Sequence, residues 1–186
     1  MKQTSTAIAV KAAPIGMACW LVCAAALGQE ISTKEPTQDQ NIARGKGYLR
    51  GLVSLVNREI PQPRDLADKE HKRGTDEWLA YYNGVVTATT SFKFMRLDAK
   101  ALVDAYNATI APQFKENQRP DPRAIQAWGQ KTSELLRQAG MDLHPLIVEF
   151  FKDAVTWVLI GKHGFSLEDA GTSVPAFSAG LASAFR

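Results

Sequence analysis

The chain has 186 residues, 45% of them hydrophobic and 22% charged, with a net charge of +3. That is one domain's worth of polypeptide, long enough to bury a core without disulfide or metal staples. The small charge argues against a general nucleic-acid binder, which would present a strongly basic surface.

The first segment has the layout of a secretory leader. Lys2 and Lys11 flank a polar start, residues 12–28 carry no charge, and Ala26-Leu27-Gly28 places small residues where a signal peptidase reads. Cleavage after Gly28 is the expected outcome. It divides the chain into a signal peptide (1–28), a polar lead-in (29–38) and a helical domain (39–186). An uncleaved anchor is the alternative, weakened by Pro14 and by a run shorter than the roughly 20 residues of a membrane span. A lipidated Cys19 or Cys23 is weaker still, because Val22 is large and the run before Cys19 is short and contains lysine. Both cysteines lie in the leader, so the processed protein has no thiol, no disulfide and no cysteine metal site. Loss of Lys2 and Lys11 lowers the net charge to +1. The expected compartment is the periplasm if the source is a Gram-negative cell.

The rest of the chain reads as helices. Thr37 with Gln40 in a capping-box pattern, or Asp39 alone, is the expected cap of a helix that runs to about Glu59 and stops at Ile60-Pro61-Gln62-Pro63. Its wheel is sided: Ile42, Tyr48, Leu49, Leu52, Val53, Leu55 and Val56 share one half, and Arg44, Lys46, Arg50 and Arg58 the other, with only Glu59 out of place. Gly45, Gly47 and Gly51 each cost this helix roughly 1 kcal/mol relative to Ala. Gly45 falls on the apolar half, where a missing side chain lets another helix come close. The Gly-x-Gly spacing is no dinucleotide fingerprint, since no strand precedes it.

Residues 64–74 are highly charged and form a short helix or a loop. Thr75 or Asp76 opens a helix with Trp78, Tyr82, Val85, Val86, Thr89 and Phe92 at helical spacing, in spite of the strand-like composition of 85–91. Asp98 is the expected cap of the next helix, which Pro112 breaks. Asp121-Pro122 is a strong start signal for a helix that stops at Gly140. Asp142 should cap the segment 143–160, LHPLIVEFFKDAVTWVLI. Its polar residues Glu149, Lys152, Asp153 and Thr156 occupy one narrow strip, and the remainder is apolar. A helix of that kind must be covered on several sides, so the domain should wrap around it. After it, Ser166 caps a first short turn, Gly171-Thr172-Ser173 interrupts, and Pro175 opens a last short helix. The predicted fold is therefore all-α, a single bundle of five to seven helices.

Chemistry is harder to find. Residues 176–180, AFSAG, resemble a hydrolase elbow only on the surface: Pro175 precedes where a strand is required, and no histidine follows Ser178. His71, His144 and His163 show no metal-ligand spacing, and no cofactor or metal is expected. His163, just beyond the long apolar helix, would place a cation at the negative end of its dipole. Glu149 and Asp153 are one turn apart, but Lys152 makes a charge-compensated solvated strip the better reading of that pair. The function expected from this is non-enzymatic: a protein of the cell envelope that covers a protein partner, as a toxin-neutralising, assembly or secretion accessory protein does. The basic residues Arg44, Lys46, Arg50 and Arg58, with Tyr81 from the aromatic group Trp78, Tyr81 and Tyr82, form the expected contact. An anionic membrane surface is a second candidate for the same cations. Alternatives are a small-molecule or lipid carrier using a gap between helices, and a hydrolase using His144 or His163 with Glu149 or Asp153.

Overall fold

The computed structural model describes residues 35–183. The expected leader, most of the lead-in, and Cys19 and Cys23 lie outside the described residues. Seven helices follow in order: α1 (Gln38–Val56), α2 (Pro63–Glu70), α3 (Asp76–Phe92), α4 (Arg96–Thr109), α5 (Pro122–Gln138), α6 (Pro145–His163) and α7 (Leu167–Ser183). The described residues contain no strand, so the all-α class is met, with the helix count at the upper limit expected.

Local chemistry sets most of the starts. Thr37 Oγ1 accepts from the Gln40 amide at 3.3 Å while Gln40 Oε1 accepts from the Thr37 amide at 2.8 Å, satisfying two donors at once. Thr75 caps α3 through the Trp78 amide, and Asp121 caps α5 through the Ala124 amide with Pro122 behind it. Glycines in the left-handed region follow two helix ends, Gly140 at φ 70° and Gly164 at φ 67°.

Four boundaries differ from expectation. α1 ends at Val56 rather than Glu59, because Arg58 takes a left-handed φ of 60° and Glu59 folds back onto Ser54. α4 starts at Arg96, so Asp98 is not its cap but lies buried in the first turn. α6 is capped by His144, whose Nδ1 accepts from the Leu146 amide at 3.2 Å with Pro145 at the first helical position, and not by Asp142. α7 is one helix through Gly171 and Pro175. Pro175 removes one amide donor, whose partner would have been the Gly171 carbonyl, but both residues are exposed and water can reach that oxygen.

The chain directions follow from long-range contacts. Gln40 Nε2 donates to Asp76 Oδ2 at 2.9 Å, joining the starts of α1 and α3, which run parallel with α2 as the return. Gln38 Nε2 donates to the Phe165 carbonyl at 2.9 Å, so α6 runs antiparallel to α1. α1 is thereby enclosed by α3, α6 and α4. Its glycines explain how closely. A Cβ on Gly45 would lie 2.5 Å from Gly161 N and 2.5 Å from the Trp157 carbonyl oxygen; one on Gly51 would meet Val85 O and the Ala88 Cβ at 2.9 Å. Gly129 and Gly180 make a second backbone-close seam, between α5 and α7.

The principal core joins Tyr48 and Leu52 of α1, Phe92 of α3, Leu102 of α4, Trp128 of α5, Phe151 and Val155 of α6, and Phe177 of α7. Burial of each such side chain contributes roughly 1.5–3 kcal/mol. A smaller cluster of Ala43, Ala67, Tyr81 and Val85 lies where α2 covers α1 and α3. The expectation that all sides of the apolar 143–160 segment are covered holds only for its second half. From Phe151 onward α6 is core, whereas Leu146 is 57% exposed and Ile147, Val148 and Phe150 are only half-buried.

Candidate functional site

The four cations expected to form one basic contact face are drawn into different surroundings. Lys46 pairs with Glu116 of the α4–α5 loop at 3.4 Å, and Arg50 with Glu59 at 3.3 Å. Arg44 is half-buried with its guanidinium 4.3 Å from the centre of the Trp157 ring. Arg58 is exposed, beyond the helix end. The wheel already sets Glu59 among these cations, whereas Glu116 comes from a distant loop that no wheel can show. Tyr81 is 5% exposed and packs at 5.5 Å from His71, so it sits inside the small cluster and not on an open surface. Trp78 and Tyr82 stack at 5.5 Å and are half-exposed.

The acidic strip of α6 is divided. Glu149 faces solvent and pairs with Lys152 at 2.6 Å, as a solvated strip should. Asp153 turns instead into the α1–α6 seam, accepting from Trp157 Nε1 at 3.1 Å. Burial raises its carboxyl above the usual carboxylate range, opposed by the charge of Arg44 and by hydrogen bonding to Trp157. The Tyr48 hydroxyl is enclosed beside it without a hydrogen bond of good geometry, and burial, then the Asp153 charge, pushes that hydroxyl well above its ordinary range.

His163 is not the exposed cation expected at a helix end. It lies in the last turn of α6 and is 1% exposed. Its Nδ1 is 2.6 Å from the Gln118 carbonyl oxygen, which can only accept, so Nδ1 carries the proton. Nε2 then accepts from the Tyr106 hydroxyl at 2.9 Å. Burial lowers the imidazole pKa below its usual 6.5, the Gln118 bond opposing, so the ring is neutral at pH 7. Burial likewise pushes the Tyr106 hydroxyl up to about 12. With both ring nitrogens engaged, His163 is a structural bridge from α6 to α4 and its following loop. His144 caps the opposite end of α6, about 28 Å away at 1.5 Å per residue. The histidines and carboxylates of the hydrolase alternative are thus spread along one helix and do not converge. Ser178 lies mid-helix in α7, two residues before the Gly180 contact with α5. No group of three or more His, Cys, Asp or Glu among the described residues is placed to hold a metal ion. No helix among them is long and apolar enough to cross a membrane.

Two features stand out that no sequence pattern announced. One is an open groove of about 590 Å³ between α1, α4, the α4–α5 loop and α6. Leu52, Leu102, Trp128 and Val158 form its buried floor, and Asn57, Asn107, Lys115, Glu116 and Lys162 stand at its rim. The other is an apolar end. α1 and α3 finish, and α4 and α6 begin, at the same end of the bundle, where the Phe92 ring meets Phe150 and Phe151 at 6.2 Å. There Phe94 is 92% exposed, Leu97 63% and Leu146 57%, with Ile60 just beyond α1 at 85%. The only advance sign was the apolar content of 143–150, which the nearly all-apolar wheel of that segment assigned to the core. Compared with protein families, curated proteins and solved structures, the chain matches none.

Proposed function

We propose that the chain is a non-enzymatic binding protein of the cell envelope, exported through its leader, and that it engages a protein partner with the apolar end of the bundle. The observation that carries this reading is the exposure of Phe94, Leu97 and Leu146 at one end of the molecule. Exposed large apolar side chains scattered singly are ordinary, whereas a group of them marks a surface meant to be covered. Lys93, whose ammonium lies 5.5 Å from the centre of the Phe94 ring, and Arg96 add positive charge at its edge. The fitting partner is a protein with an apolar patch rimmed by carboxylates. A toxin, an assembly intermediate or a secretion component all meet that description. The basic residues of α1 flank this reading rather than carry it, since Lys46 and Arg50 already hold carboxylates of their own chain.

The test is capture from an envelope extract followed by mass measurement of the purified complex. Wild-type protein should retain one partner in fixed stoichiometry. Replacing Phe94, Leu97 and Leu146 together by Asp should abolish retention while leaving helicity and melting nearly unaltered, because these side chains contribute little burial. Retention that survives this change and disappears on reversing Arg50 and Arg58 to Glu would move the contact to the basic residues of α1.

A further inference from the structure

We infer that the groove between α1 and α4 is a binding site for a single-chain anionic amphiphile, a long-chain carboxylate in its simplest form. Its volume of about 590 Å³ is in the range of roughly 300–1,000 Å³ typical of small-molecule sites. The floor offers a tail nothing to hydrogen-bond, since the hydroxyl of Tyr106, which also lines it, is held by His163 at 2.9 Å. Leu52, Leu102 and Val158 are aliphatic, and the one polar atom of Trp128 is already used, Nε1 donating to the Leu102 carbonyl at 3.0 Å. The lining therefore takes an alkyl chain and rejects a polar body, whose groups would be left unpaired.

The rim selects the head. Two carboxylates stand there, Asp104 and Glu116. Asp104 is neutralised within α4 by Lys100. Glu116 is shared by two lysines, Lys46 of α1 at 3.4 Å and Lys162 of α6 at 3.3 Å, and both hold its carboxyl below the usual range. Lys115 makes no ion pair among the described residues. Lys115 and Lys162 line the mouth beside these two carboxylates, and Lys46 and Lys100 pair with them from outside the lining, so Lys115 is the cation left over at the mouth of an apolar cleft. An anionic head placed there pairs with Lys115, and its tail lies on Leu52 and Val158. A cationic head would meet Lys115 instead. The same groove suits a free fatty acid or an acidic monoacyl phospholipid, which share the anionic head and the single tail.

Calorimetric titration of the delipidated protein, as the cell processes it, decides the matter. Laurate and dodecyltrimethylammonium, each below its critical micelle concentration, are the probes. Laurate should bind one to one, and the cation at least about tenfold more weakly. Lys115→Glu, an exposed loop change that leaves the fold intact, should weaken laurate by about fivefold to tenfold and narrow the difference between the two probes. Val103→Trp should fill the groove and abolish laurate binding, with circular dichroism confirming that the variant is folded. The inference fails if laurate gives no heat, if the two probes bind equally, or if Lys115→Glu leaves laurate affinity unaltered. Monoacyl phosphatidylglycerol that binds while laurate does not would also overturn it, since the site would then be reading a larger headgroup.

Discussion

His163 shows how one buried residue couples folding to pH. Its folded-state pKa is depressed below 6.5, so the folded protein binds this proton less readily than the unfolded chain does. Stability from this group is complete above the unfolded value and is lost as pH falls below about 6.5 toward the folded value. The melting temperature should therefore fall between pH 7.5 and 5.5, and His163→Gln should flatten that slope. An equal slope in the variant would show that other groups set the dependence. Asp153 acts in the opposite sense. Its raised carboxyl disfavours the folded state once ionised, and that penalty is relieved only at lower pH, above the usual 3.8 of an unburied carboxyl. Neither behaviour could be read from spacing. Gln118 lies 45 positions from His163, Tyr106 57 positions from it, and Tyr48 meets Asp153 only because α1 lies against α6.

At the scale of the helix, the glycines decide which elements touch. Gly161 faces the Gly45 backbone so closely that a Cβ on either must push the helices apart. Gly161→Ala should cost at least about 1–3 kcal/mol, the usual penalty of overpacking. Gly171 is the control: it lies within α7, is exposed, and a Cβ added there would meet nothing within 4 Å. Gly171→Ala should stabilise by roughly 0.5–1 kcal/mol. Chemical denaturation of the two single variants checks both signs, and equal effects would remove the close-packing account. The expectation for Gly45, that it admits another helix, holds. Gly47 and Gly51 do the same toward α3, on a side of the wheel that side-chain polarity alone marked as solvent-facing.

The whole molecule buries one half of its most apolar helix and presents the other. Val155→Asp places an unpaired charge at a fully buried site and should cost more than about 4 kcal/mol, enough to unfold a marginal domain. Leu146→Asp, on the same helix, should alter stability by no more than about 0.5 kcal/mol, because the side chain is exposed and a carboxylate suits a helix N-terminus. Thermal melts of the pair distinguish a half-covered α6 from one sheathed along its length. The groove and the apolar end exist only at this scale, as spaces and edges left by the angles at which helices meet. The helical class and the capped starts at Thr37, Thr75 and Asp121 were legible in the residues alone, because a cap and a helical period are settled within a few positions. Packing had to supply the rest: which apolar faces are covered, which carboxylates answer the cations of α1, and where an opening remains. Those depend on groups brought together from distant parts of the chain, whose meeting no local pattern encodes.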